Sequence, residues 1–500
     1  MNVCGKASWS RRGGMAALLA AAAISGVAVA APAGSAGASA RAALQAVRPV
    51  RAPVRLPKAA GTASPIQHVV VIYLENHSFD NVLGFWCDTN PGRCPDGGMP
   101  ASVTLSDGTV VTPGTATDKV PNVEHLVTAQ QAALNIQGGV PQMNGWQNIP
   151  DGSCAASTGY QCITGFQPSQ VPNLTTLAGQ FAISDDTFSM ADSPSWGGHL
   201  YAVAGSLDGF TGNNPYAPKG TTGLNGWGCD SDKVTQWISP AGKQRTVPAC
   251  VPDPSLPVAQ YPNGGAFKAT PVQYVPTIMD RLAAAGLTWK IYGAQGQSTA
   301  GYQWSICPAE AECLYTSQDQ NLVPSAGFQA DALAGNLPAF SVVTPGGSTT
   351  KDSCHNLTSM TACDNWAGSL VQSVENSPDW SSTAVFITFD DCGCFYDQVP
   401  PPKAPDGTQE GPRMPLIIVS PYAKPGYTDT TSANFASILA YTEHTFGLAP
   451  LAENDAQAYD FSNAFDYSQT PLHPAQMVTR PLPYWARHLR LTRAMLDDPT

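Results

Sequence analysis

The hydrophobic pattern divides the chain into short apolar runs separated by long polar, turn-rich stretches. His68–Leu74 (HVVVIYL) is a continuous apolar run of strand length, the pattern of a strand buried on both faces. Ala339–Val343, Leu287–Tyr292, Ala384–Phe389 (AVFITF) and Leu416–Val419 read the same way. Between them, Thr277–Gly286 has a helical pattern stopped by glycine, and Phe435–Phe446 has another that ends at Gly447. Strands alternating with helices predict an α/β fold with a mostly parallel sheet between helix layers. No repeat or second break in composition appears before about residue 470, so residues 65–470 read as one domain with long insertions.

In such sheets, ligands gather beyond the carboxyl ends of the strands. Two of the predicted strand ends are unusually polar. The first runs straight into Glu75-Asn76-His77-Ser78-Phe79-Asp80, and the Ala384 run ends in Asp390-Asp391. Adjacent acids at the end of a buried strand are costly unless something neutralises them. Taken singly, each acid could simply cap a helix or a turn. Taken together, Glu75, Asn76, Asp390 and Asp391 supply only oxygen, a set that suits one divalent cation such as Ca²⁺, Mg²⁺ or Mn²⁺. A third segment, Ser193-Pro194-Ser195-Trp196-Gly197-Gly198-His199, precedes the apolar run Leu200–Ala204. Ser195 is expected at a helix start, where free N–H groups favour an anion such as phosphate. By default a serine there is an N-cap; beside a metal it becomes a nucleophile.

Composition narrows the class. Charged residues are 12% of the 500, about half the usual share, and the net charge is −12. With 25 Lys and Arg against 37 acids, the chain lacks the basic surface that nucleic acid requires, and that partner is excluded. Gly (46) and Pro (44) are in excess, which fits long loops on a globular frame. Residues 1–30 carry Lys6, Arg11 and Arg12, then an apolar stretch, Met15–Ala30, ending in Ala28-Val29-Ala30. This is the signature of a signal peptide, with Arg11-Arg12 compatible with twin-arginine export. Residues 31–64 are an Ala/Pro-rich linker or pro-segment. No later segment is long and apolar enough to anchor the chain in a membrane.

Secretion agrees with the cysteines. Of 13, one (Cys4) lies in the signal, and twelve fall in close pairs: 87/94, 154/162, 229/250, 307/313, 354/363 and 392/394. Six local disulfides are expected, the 392/394 bridge being the least secure because its ring is so small. Residues 471–500 form a short tail. Tyr484-Trp485 with Arg487, Arg490 and Arg493 suggests a small amphipathic helix, either packed on the body or touching a membrane.

Several long motifs are familiar as a set. HVVVIYLENHSFDNVLG, SPSWGGHLYAVAGS, FITFDDCGCFYDQVPPP, GPRMPLIIVSPYAKPGY, FASILAYTEHTFGL and FDYSQTP resemble, in order, the motifs of the bacterial phosphoesterase family of phosphatidylcholine-preferring phospholipases C and acid phosphatases. The resemblance spans roughly residues 66–471. It implies an alkaline-phosphatase-like three-layer fold and a phosphoester substrate, either a monoester or a phospholipid. It also implies a metal-activated serine that takes the phosphoryl group and is then freed by water. By motif, Ser195 is the nucleophile and a metal ligand, with Glu75, Asn76, Asp390 and Asp391 as the other ligands. His125 (PNVEHL) and His355 (KDSCHN) resemble phosphate-contacting histidines, and His199 resembles a family histidine that supports the helix. The chain departs from the pattern at Gly198, Cys394, Gln398 and Phe435. Those departures keep open a weakened relative that binds a phosphate ligand or serves a structural role.

Overall fold

A computed structural model describes residues 64–221, 224–256 and 270–492. The expected signal peptide (1–30) and nearly all of the linker (31–64) lie outside the described residues.

Eight strands form the central sheet: β1 (His68–Leu74), β2 (Ala182–Ser184), β3 (Trp289–Gly293), β4 (Leu322–Pro324), β5 (Phe340–Val343), β6 (Thr383–Phe389), β7 (Leu416–Val419) and β8 (Thr428–Asp429). Their order across the sheet is β4-β3-β5-β1-β6-β7-β2-β8. All run parallel except β7, which is antiparallel to both its neighbours. The central strands β1, β5, β6 and β7 are buried almost throughout, as their unbroken apolar runs predict.

The helices that bear on the site are α1 (Phe79–Thr89), α2 (Val127–Leu134), α3 (Pro172–Gln180), α4 (Ser195–Tyr201), α5 (Ile278–Ala284), α6 (Ala311–Tyr315), α7 (Gly327–Leu333), α8 (Met360–Glu375) and α9 (Phe435–Phe446). Helix α9 matches its predicted span, with Gly447 in the left-handed conformation closing it. It packs on the face of the sheet that carries Tyr73 and Phe386: the Phe435 ring lies 5.6 Å from Tyr73, and Tyr441 lies 5.0 Å from Phe386. Thr277 caps α5 as its position predicts, accepting from the Asp280 amide.

The tail is fastened to the body. The backbone N–H groups of Ala475, Val478 and Arg480 donate to side chains of Glu375, Asn173 and Asn365. Among its described residues the tail has one helix, Tyr484–Arg487, a single turn. Among the described residues no helix is long and apolar enough to cross a membrane.

Five of the six expected disulfides are present: 87–94, 154–162, 229–250, 307–313 and 354–363. The sixth is not. Cys392 and Cys394 are buried thiols, and the Cys394 amide donates to Cys392 Sγ at 3.2 Å. The intervening Gly393 explains the difference. It takes a left-handed φ of 56° and packs so closely on Asn76 that a Cβ there would lie 2.3 Å from the Asn76 carbonyl oxygen. The loop is thus shaped by Asn76 and Asp391 rather than by a ring closure. Alkylation of unfolded, unreduced protein should label Cys392 and Cys394 and leave the other ten described cysteines unlabelled. Peptide mapping reads the result; a 392–394 crosslink would refute it.

Candidate active site

Strand register builds the site. β1 and β6 are adjacent and parallel with Leu74 opposite Phe389, so the chain leaves both strands at one level and sets Glu75 beside Asp390. The turn is then locked by side chains. The Asn76 amide donates to Asp390 Oδ1 at 2.8 Å, and the Asp391 amide donates to the same oxygen at 2.8 Å. Gly393 N–H donates to Asp391 Oδ1 at 2.6 Å. Asn76 itself has φ 63°, a conformation rare outside glycine but tolerated by asparagine.

Helix α4 brings Ser195 to this cluster. Ser195 is the first residue of the helix, after Pro194 at the cap position. Its hydroxyl is not used in capping. It donates to Asn76 Oδ1 at 3.2 Å and lies 3.3 Å from Asp391 Oδ2. Two of the N–H groups at the helix start are already used. Trp196 N–H donates to Asn214 Oδ1 and Gly197 N–H to the Gly212 carbonyl.

His199 lies one turn beyond Ser195 on the same helix face, a spacing legible in the sequence. Its Nε2 is 2.9 Å from Glu75 Oε1 and 3.6 Å from Asp390 Oδ2. The sequence reading gave it only a supporting place on the helix. The structure makes it part of the carboxylate cluster: Glu75, His199 and Asp390 together could hold a metal ion.

His125 and His355 flank the other side. His125 Nδ1 contacts the Val123 carbonyl at 2.9 Å and His355 Nδ1 contacts the Asn356 carbonyl at 3.2 Å. A nitrogen facing a carbonyl must carry the proton, so each neutral ring keeps Nε2 as an acceptor. Both Nε2 atoms face the Asn76 amide, at 3.2 Å for His125 and 3.0 Å for His355. The other end of that amide faces oxygens of Ser195, Asp390 and Asp391 at 3.2–3.3 Å. With NH₂ toward the two acceptor nitrogens, the amide oxygen points into an oxygen cluster, which a cation would reconcile. In the opposite orientation the amide donates to Ser195, Asp390 and Asp391 and its oxygen faces the two rings.

Other observations also fit a cation. Asp390 Oδ2 accepts no hydrogen bond although it is fully buried. Burial, then the charges of Glu75 and Asp391, push the Asp390 carboxyl well above the usual range. Adjacent buried carboxyls of this kind must share a proton or a positive ion. The donor set is oxygen from Glu75, Asn76, Ser195, Asp390 and Asp391, with one imidazole from His199, a set that hard or borderline divalent ions accept.

The departures from the family pattern acquire physical reasons. A Cβ at Gly198 would lie 2.2 Å from the Asp390 carbonyl oxygen, so α4 approaches the strand end this closely only with glycine there. The Gly198 carbonyl accepts from Tyr73 at 2.8 Å, which ties the same turn to β1. Gly198→Ala should therefore displace Ser195 from Asp391, lowering kcat by about 10²-fold, with a drop in Tm. Wild-type kcat in that variant would contradict the reading. Gln398 is held outside the cluster by the Gly98 carbonyl. Phe435 packs on Tyr73.

A second buried group lies behind the first. Arg413, in GPRMP, binds Asp80 at 2.9 Å, Asp185 at 3.1 Å and Asp397 at 3.1 Å, and its guanidinium stacks on Phe79 at 4.1 Å. It joins α1, the end of β2 and the loop after Asp391. The sequence reading did not single out Arg413. A lone arginine among three dispersed aspartates carries no local signal.

The model of the phosphoesterase family matches residues 66–449. The chain belongs to the phosphoesterase family. It is a hydrolase acting on phosphoester bonds. Among curated relatives, non-specific phospholipase C6 of Arabidopsis thaliana is 25% identical over 442 residues, covering 82% of this chain and 74% of that protein. Phospholipase C A of Mycobacterium tuberculosis is 23% identical over 478 residues, covering 84% and 81%. Among solved structures, a protein in the alkaline phosphatase superfamily from Vibrio parahaemolyticus aligns with a TM-score of 0.30 at 14% identity, covering 57% of this chain and 62% of that one. A phosphonate monoester hydrolase of Agrobacterium radiobacter aligns at 0.33 and 10%, covering 77% and 74%.

Proposed function

We propose that this phosphoesterase is a secreted, metal-dependent hydrolase of phospholipase C type that uses Ser195 as its nucleophile. The observation that carries the reading is the placement of Ser195 Oγ, spared from capping, against Asn76 and Asp391 in a fully buried carboxylate cluster. Glu75, Asn76, Ser195, Asp390 and Asp391 would hold one divalent ion. When bound, that ion supplies positive charge that lowers the pKa of a coordinated hydroxyl and of water.

The chain's own residues do the rest. The register of β1 and β6 fixes the carboxylates, and α4 fixes Ser195, so the nucleophile is oriented before substrate arrives. Oγ gives up its proton to Asp391 Oδ2, 3.3 Å away, and forms a bond to phosphorus; the ester oxygen leaves with its electron pair and takes up a proton; water later cleaves the phosphoserine, returning the proton to Oγ. His125 and His355, with Nε2 turned to the cluster, are the groups placed to donate to nonbridging phosphate oxygens once protonated. His199 holds Glu75 and sets its orientation. Ser195 is 0% exposed, so substrate and the later water reach it only as covering segments part.

The phospholipid reading draws on the relatives' names. Export draws on the disulfides and the N-terminal signature. Turnover of p-nitrophenyl phosphate and of its phosphorylcholine diester, with and without chelator, tests the proposal. Chelator should abolish turnover, a divalent ion should restore it, and the diester should be the better substrate. Full activity after exhaustive metal removal would refute the metal role. Preference for the monoester would refute the phospholipase assignment alone.

A further inference from the structure

A small cleft adjoins the active site and has no part in the mechanism above. Trp196, His199 and Leu200 of α4 line it, with Trp227 and with Gln303 from the turn Tyr302–Trp304. His199 is shared: the ring that lines the cleft also places Nε2 on Glu75. The turn is shared too, since the Trp304 ring lies 5.5 Å from the ring of His355. A single imidazole thus separates the cleft from the carboxylate cluster.

The walls are built by close packing. A Cβ at Gly228, beside Trp227, would lie 2.0 Å from the Pro308 carbonyl oxygen, and Cys229 N–H donates to that oxygen at 2.7 Å. Trp196 meets Phe210 edge to face at 5.0 Å.

Three donors in these walls lack an acceptor. Trp196, Trp227 and Gln303 are 2%, 1% and 6% exposed. Among the described residues, nothing accepts from either indole Nε1 or from Gln303 Nε2, and all three atoms are buried. Buried donors left unmade are costly, and native structures rarely keep several together without a use. Among the described residues no carboxylate, Lys or Arg lines the cleft. The nearby acids of the catalytic cluster disfavour an anion. The missing partner is therefore a neutral acceptor oxygen, and there is space for roughly one group of that size.

We propose that the cleft is a head-group subsite. It takes a hydroxyl oxygen of the alcohol that stays on phosphorus when the ester oxygen leaves. It therefore favours phosphodiesters of polyols such as glycerol over those of choline, whose quaternary ammonium offers no acceptor. The inference rests on the phosphodiesterase reading above and narrows its substrate class. Trp196, Trp227 and Gln303 set specificity and make or break no bond.

Two measurements test it. The first is kcat/KM of wild type, Trp227→Phe and Gln303→Met for the p-nitrophenyl diesters of glycerol phosphate, phosphorylcholine and ethyl phosphate. Wild type should prefer the glycerol diester to either of the others by about 10²-fold, and each variant should cut that preference about tenfold. Phenylalanine keeps a ring and methionine keeps the chain length, so each removes a donor and little else. A ratio of substrates within one protein does not move with stability, and either variant serves if the other does not fold. Equal turnover of the glycerol and ethyl diesters by wild type, or an unchanged preference in a folded variant, would overturn the proposal.

The second is NMR of the indole N–H groups, with the Trp227 signal assigned by its loss in Trp227→Phe. Glycerol 3-phosphate should shift that signal and ethyl phosphate should not. This readout needs no turnover, so failure of the catalytic reading is told apart from failure of the subsite. A Trp227 signal indifferent to glycerol 3-phosphate would mean that water alone fills the cleft, and would overturn the proposal.

Discussion

Ser195→Ala should lower kcat/KM for p-nitrophenyl phosphate and the phosphorylcholine diester by about 10⁴-fold or more, with little change in Tm. The size follows from the role. Removing a nucleophile that acts as one unit with its activating groups costs about as much as removing the unit. The small stability effect follows from the geometry. The Ser195 hydroxyl caps nothing, and its contacts at 3.2 and 3.3 Å are long for O–H···O bonds. Alanine keeps the helix, since the N–H groups of Trp196 and Gly197 are satisfied elsewhere. A variant that lost activity only by unfolding would show it in the melt. A variant as active as wild type would remove Ser195 from the mechanism while leaving the family assignment intact.

Arg413→Ala should cost about 3–5 kcal/mol of stability, the largest effect expected of any single surface-remote substitution outside the site. Burial works against the guanidinium's charge, but Asp397, Asp80 and Asp185 outweigh it and hold the pKa above the ordinary arginine value. Deleting the cation strands three fully buried carboxylates without compensation. It also removes the plane stacked on Phe79. Arg413→Lys keeps the charge but cannot reach three carboxylates in a fork, so an intermediate loss is expected. Urea unfolding midpoints measure both. A loss under about 1 kcal/mol for Arg413→Ala would mean the network is solvated, as surface pairs are.

The frame of the protein was legible because its strands are buried on both faces. Such strands read as unbroken apolar runs, and β1, β6, β7 and α9 fall close to their expected spans. The reversal of β7 was not legible, since an apolar run carries no direction. The acids at two strand ends stood out because the chain is so poor in charge. Their meeting depends on the Leu74–Phe389 register, which only pairing supplies. Cys392 and Cys394 were misread because proximity in sequence was the only guide, while the loop is shaped by contact with Asn76. His199 was undervalued although its spacing from Ser195 placed both on one helix face. Two N–H groups at the start of α4 are taken for a tertiary reason: Asn214 and Gly212, distant along the insertion, accept from Trp196 and Gly197.

The central claim is that Ser195 carries the phosphoryl group between two half-reactions. Its most direct test is acid quenching of enzyme during turnover of p-nitrophenyl phosphate, followed by mass spectrometry of the peptide containing Ser195. The account predicts a gain of one phosphoryl group on Ser195 in wild type, lost when chelator is added and absent in Ser195→Ala. Rapid turnover with that peptide unmodified at every quench time, or the phosphoryl group on another residue, would contradict it.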